Sequence, residues 1–166
     1  MEDTNQDNDI NLASEDHDYV LKIVVAGNSG VGKSSIAARY IKSVFDEASE
    51  FTIGVEFDEK VVQIDSNKTL VQFWNMSGKK MYMQMAKQHF AEAVGAILVY
   101  DVTDKRSFED IPNWMREIQK HADDECQFLL LPNKCDFTDK YPRMKQVPNI
   151  LAKEFAERRK IIYHGE

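Results

Sequence analysis

Cysteine and long apolar runs are scarce in this chain, and positive charge is outnumbered by negative. Two cysteines in 166 residues, Cys126 and Cys135, argue against a disulfide framework and fit a reducing compartment. No run of about 18 apolar residues occurs, so no membrane-spanning helix is expected. The acidic N-terminus lacks the basic-then-apolar order of a secretory signal. With 21 Lys and Arg against 28 Asp and Glu, the net charge is −7, and nothing in that balance points to nucleic acid. What remains is a 43% hydrophobic chain, long enough to bury one full core.

The negative charge has an address. Glu2, Asp3, Asp7, Asp9, Glu15, Asp16 and Asp18 precede Tyr19 and no Lys or Arg accompanies them, so residues 19–166 are electrically balanced. A polar, Asn-rich, acidic stretch buries too little apolar surface to order itself. Residues 1–18 are therefore expected to be a disordered, solvated tail, and 19–166 the functional domain.

From Tyr19 onward, strands and helices alternate. Tyr19–Ala26, Gly95–Asp101 and Gln127–Leu131 read as buried strands. Residues 55–64 and 69–75 flank the polar tetrad Asp65–Lys68 and read as a hairpin. Helices are expected from the end of the Gly27–Ser34 stretch to about Val44, from Ser107 to His121 with Pro112 bending its start, and from about 148 to 159 with Pro148 in its first turn. Lys160–Tyr163 reads as a last strand. This alternation predicts an α/β fold with a mostly parallel sheet covered on both faces, and ligands at the carboxyl ends of its strands.

Two motifs fall at those ends. Gly27-Asn28-Ser29-Gly30-Val31-Gly32-Lys33-Ser34 follows a strand and opens a helix, which is the setting of a Walker A phosphate loop. Its glycines let backbone N–H groups wrap phosphate, and the helix start adds a favourable dipole. Lys33 suits the β and γ phosphates and the Ser34 hydroxyl suits Mg²⁺. Asn133-Lys134-Cys135-Asp136 lies about 100 residues later, behind another buried strand. The Asp136 carboxylate there can accept two parallel N–H bonds from the N1 and N2 edge of guanine. Adenine offers no such pair, so it would strand the carboxylate at a cost of about 1–3 kcal/mol or more. Asn133 is expected to tie this loop to the phosphate loop, with the Lys134 stem over the base. The combination predicts GTP or GDP as ligand. A P-loop nucleoside kinase would leave the second motif unexplained.

With these motifs in place the chain resembles a Ras-superfamily small GTPase, most of all the Rab family. The resemblance covers about residues 19–164 and rests on Gly27–Ser35, Thr52-Ile-Gly-Val-Glu-Phe57, Trp74, Leu98-Val-Tyr-Asp-Val-Thr103 and Ser107-Phe-Glu109. It implies the P-loop NTPase fold of small G proteins, a six-stranded sheet with helices on both faces. It also implies Thr52 on Mg²⁺ and the γ-phosphate, Ser35 beside the phosphates, and Phe45 stacked on the base. For Phe45 burial at a helix end is equally acceptable on sequence alone. Partners would be Rab-type effectors and exchange factors meeting the switch loops, with the protein a monomer in the cytoplasm, reaching endomembranes through them. No prenylatable cysteine stands near the terminus, so no membrane anchor of the chain's own is expected.

The second switch departs from the family pattern Trp-Asp-Thr-Ala-Gly-Gln-Glu, reading Trp74-Asn75-Met76-Ser77-Gly78-Lys79-Lys80. Gly78 keeps an N–H for the γ-phosphate. Asn75 replaces the aspartate that helps hold Mg²⁺, losing a charge whose attraction is on the order of several kcal/mol before desolvation. Lys79 replaces the glutamine that orients the attacking water, and an ammonium has no acceptor to offer that water. A GTPase with slow hydrolysis is expected. The alternative is a non-hydrolysing GTP/GDP-binding scaffold, and a lesser one makes Lys79 a charge donor to the transition state. Behind the last strand, His164-Gly-Glu166 stands where the family has a second base loop and a closing helix; that helix is expected to be missing. Met76, Met81, Met83 and Met85 are expected to pack inward rather than form a partner surface, and His89 and His121 to be surface residues.

Overall fold

The computed structural model describes residues 16–45 and 52–165. The expected acidic tail through residue 15, and Glu166, lie outside the described residues. Asp18 exchanges two hydrogen bonds with Lys68 and so stands at the start of the first sheet ladder: its N–H donates to the Lys68 carbonyl, and its carboxylate accepts the Lys68 N–H, each 2.8 Å.

Six strands form one sheet in the order β2-β3-β1-β4-β5-β6. They are β1 (Tyr19–Ala26), β2 (Val55–Ile64), β3 (Asn67–Met76), β4 (Gly95–Asp101), β5 (Gln127–Asn133) and β6 (Ile162–Tyr163). Only the β2–β3 pair is antiparallel. Its turn is tighter than the polar tetrad predicts: Asp65 takes a left-handed φ of 52°, and Asn67 and Lys68 already belong to β3. The helices are α1 (Lys33–Lys42), α2 (Met83–Lys87), α3 (Lys105–Glu109), α4 (Ile111–Gln119), α5 (Cys135–Lys140) and α6 (Asn149–Arg159). The P-loop NTPase architecture is thus present, and no helix follows β6 among the described residues.

Two core clusters lie on the two sheet faces. Successive residues of β1 and β4 alternate between them: Val24, Leu98 and Tyr100 in one, Val25 and Val99 in the other. The larger cluster takes Ile111, Trp114, Met115 and Ile118 from α4, an i, i+3, i+4, i+7 stripe, together with Phe155 and Ala156 from α6. The smaller cluster receives Ile36 and Ile41 from α1. The single helix expected from Ser107 to His121 is two helices. Pro112 has no N–H to continue an α-ladder, and the chain restarts around Asp110 with proline in the first turn. The α5 helix went unanticipated because six residues carry no readable period. No helix among the described residues is long and apolar enough to cross a membrane.

Candidate nucleotide site

The carboxyl ends of β1, β3 and β5 converge on a cleft of about 380 Å³. From the phosphate loop come Ser29, Gly30, Gly32, Lys33, Ser34 and Ser35. Phe45, Thr52 and Gly78 border it as well, and Asn133, Lys134 and Asp136 supply the remainder with Phe137. Phe137 is a member that sequence reasoning missed; it sits in the unanticipated α5, beside Asp136. Phe45 is 64% exposed, which removes the reading of a buried helix-end residue.

The loop's own bonds set its shape. Lys33 is buried and its ammonium donates to the Asn28 carbonyl at 2.9 Å, folding back along the loop. Burial pulls the Lys33 pKa down to about 8, while the negative charge of Glu56 works the other way. Asn28 does not line the cleft. Its side chain donates to Asp110 at 2.8 Å and accepts from the Trp114 indole at 3.0 Å, clamping the loop to the α4 start. The Val31 side chain is buried in the smaller core cluster, so only its backbone can serve the cleft. Asp110 and Trp114 were invisible to motif reading because their partner is 82 and 86 residues away.

The Asn133–Asp136 loop is joined to the phosphate loop as expected: the Asn133 amide donates to the Val31 carbonyl at 2.7 Å. This contact explains Gly32, whose φ is +96° and whose place a Cβ would share with Asn133 Nδ2. Lys134 takes a left-handed φ of 64° and pairs with Asp101 at 2.7 Å. Burial opposes ionisation of Asp101, but bonds from Lys134 and Thr103 outweigh it and hold its pKa below the ordinary carboxylate value. Asp136 is exposed on the cleft wall.

Around Ser34 the side chains form a polar cluster. The Ser34 and Thr52 hydroxyls are hydrogen-bonded at 2.7 Å, and Asn75 Nδ2 donates to Ser34 Oγ at 2.7 Å. Asn75 is 2% exposed, and its Oδ1 is a buried oxygen with no protein partner. Ser34 Oγ, Thr52 Oγ1 and Asn75 Oδ1 are hard oxygens, the donor type that suits Mg²⁺. No group of three His, Cys, Asp or Glu among the described residues could hold a metal, so phosphate oxygens would have to complete the shell.

Gly78 packs directly on the phosphate loop, where a Cβ would collide with the Asn28–Ser29 backbone. Ser77, buried beside it, donates its N–H to the Gly54 carbonyl at 2.8 Å and so couples the two switch segments. Lys79 is exposed and does not line the cleft. The methionines divide: Met76 is buried and Met83 packs on the core, but Met81 is 73% and Met85 54% exposed. His89 is half-buried and stacks on Trp74 at 5.0 Å, with Phe57 on Trp74 at 4.9 Å, so it is not the simple surface residue the sequence suggested.

Comparison with known proteins agrees with this geometry. The model described as "Ras family" matches residues 22–165. The chain is 40% identical over 146 residues to "Ras-related protein Rab11A" of Lotus japonicus, covering 88% of this chain and 63% of that protein. It is 39% identical over 150 residues to "Ras-related protein RABA4a" of Arabidopsis thaliana, covering 90% and 65%. With "Ras-related protein RABA1a" of Arabidopsis thaliana it shares 37% over 151 residues, covering 91% and 68%. The chain spans about two thirds of the length of these curated relatives.

Proposed function

Because the chain belongs to the Ras family, among its Rab members, we propose that it is a guanine-nucleotide switch of vesicle trafficking whose own GTP hydrolysis is impaired. The observation that carries the reading is the bond from Asn133 to Val31, which puts a phosphate cradle and a carboxylate-bearing loop on one cleft. Asp136 accepts from the guanine N1 and N2 edge, Phe45 and the Lys134 stem flank the base, and Phe137 adds apolar wall. Backbone N–H groups of Asn28–Ser35 and the Lys33 ammonium hold the phosphates. Ser34, Thr52 and Asn75 hold Mg²⁺, which neutralises phosphate charge when bound.

The hydrolytic side is weaker. The Gly78 N–H contacts the γ-phosphate, but Lys79 has no acceptor with which to orient water. Even with its glutamine in place, unassisted Ras turns over at only about 10⁻⁴ s⁻¹, and this chain works near or below that level. Partners of the Rab effector and exchange-factor kind meet the switch segments, where Ile53, Phe57, Met81 and Met85 are exposed. The protein acts as a cytoplasmic monomer drawn to endomembranes by them. Exposed Lys79 favours a second reading, a GTP/GDP-binding scaffold without turnover.

Calorimetry with guanosine and adenosine di- and triphosphates tests the reading. Equal affinities for the two purines would remove it. The nucleotide retained through purification then bears on the hydrolytic side: GDP argues that turnover persists, and GTP favours defective hydrolysis.

A further inference from the structure

Asn75 and Glu56 are cross-strand partners in the β2–β3 ladder. The Asn75 amide nitrogen has two hydrogens, and both are committed: one to Ser34 Oγ and one to Glu56 Oε2, each at 2.7 Å. A carboxylate can only accept, so Glu56 fixes which way the amide points. Nitrogen faces Glu56 and Ser34, and the buried oxygen Oδ1 is left for a partner from outside the protein. Of the side chains in this network (Ser34, Thr52, Asn75 and Glu56), Glu56 is the one that carries negative charge. The same carboxylate reaches Lys33 electrostatically, opposing the effect of burial on that ammonium.

We propose that Glu56, from the neighbouring strand, supplies the negative charge that Asn75 lacks beside a magnesium ion held with the nucleotide. The proposal rests on the nucleotide-binding reading above. Two effects act together. A carboxylate hydrogen-bonded to the same amide as Ser34 attracts the dication through space. By accepting from Nδ2 it also polarises the amide and makes Oδ1 a better electron donor. Glu56 is a positioning residue, because it works through Asn75 and the field.

The test uses the full chain loaded with a fluorescent N-methylanthraniloyl GDP, its release rate followed as free Mg²⁺ is titrated. Four proteins are compared: native, Glu56→Gln, Asn75→Asp and the double variant. Glu56→Gln keeps an oxygen for Asn75 Nδ2 and loses only the charge, so a purely structural role predicts an unchanged midpoint. The proposal predicts a midpoint raised about tenfold, the lower end of the usual effect of removing a metal's outer partner. Asn75→Asp lowers the midpoint, and the double variant, with one carboxylate as in the native chain, returns near the native value. A native midpoint for Glu56→Gln overturns the proposal. Should that variant fold poorly, a double variant matching Asn75→Asp overturns it equally, and one displaced toward native supports it. If no guanine nucleotide binds at any Mg²⁺ concentration, the reading of the cleft itself fails, and the proposal with it.

Discussion

The Asn133–Asp136 loop and the second switch border one cleft, but different forces hold them. In Asn133–Asp136 the polar groups that shape the loop are satisfied within the protein: Asn133 on Val31, Lys134 on Asp101. Around Asn75 the side chains bond one another and leave one buried oxygen over. A loop satisfied internally keeps its form whatever it binds, whereas a group with a spare buried acceptor is completed by ligand. Selectivity for the base and use of the phosphates can therefore change independently, and the proposed function has the second altered and the first kept.

The sharpest way to break the comparison is Asp136→Ala. Without the carboxylate, the preference for guanosine over adenosine phosphates should fall by about 10²-fold or more in calorimetric titrations, with phosphate affinity retained. Lys79→Gln is next. Restoring an acceptor for water should speed single-turnover hydrolysis by at least about tenfold; a slower variant would instead make Lys79 a charge donor. Asn75→Asp should reduce the Mg²⁺ needed for half-maximal nucleotide retention several-fold, roughly 1 kcal/mol of added attraction after desolvation. An equal magnesium response from the native chain and this variant would end the idea that Asn75 weakens the site.

A last test concerns the stability of the internally satisfied loop rather than what it binds. The Asp101 carboxyl titrates below its ordinary value in the folded protein. Its contribution is therefore complete above the unfolded carboxylate pKa of about 4 and fades as pH falls through the lower folded pKa. Asp101→Asn should lower stability near neutral pH by about 1–3 kcal/mol and flatten the acid limb of a urea-unfolding series. An unchanged acid limb would mean the Lys134 pair contributes nothing to the loop.

Much of this site could be read before folding was considered. Gly27–Ser34 and Asn133–Asp136 are contiguous motifs whose chemistry depends on backbone and on one side chain each, so local order fixes them. The alternation of β-branched runs with helical stripes fixed the parallel sheet, and with it the end where the cleft forms. Pro112 marked a boundary but not its form, since a proline in a helical pattern can bend a helix or start a new one. Met81 and Met85 illustrate the opposite limit: apolar residues of the switch segment are expected to pack inward, yet both are exposed. The stack of His89 on Trp74 brings together residues from β3 and the end of the α2 segment, and no local pattern announces it.

What the residues determined alone was composition of the cleft: a phosphate loop, a carboxylate at Asp136, and a second switch with Asn75 and Lys79 where the family pattern has aspartate and glutamine. Those follow from chemistry carried in single segments. Only the assembled sheet decided that Glu56 stands across from Asn75, that Asn28 is clamped by Asp110 and Trp114, and that Phe137 lines the cleft. Such contacts join residues far apart in the chain, and strand register and helix placement, which depend on the whole core, set them.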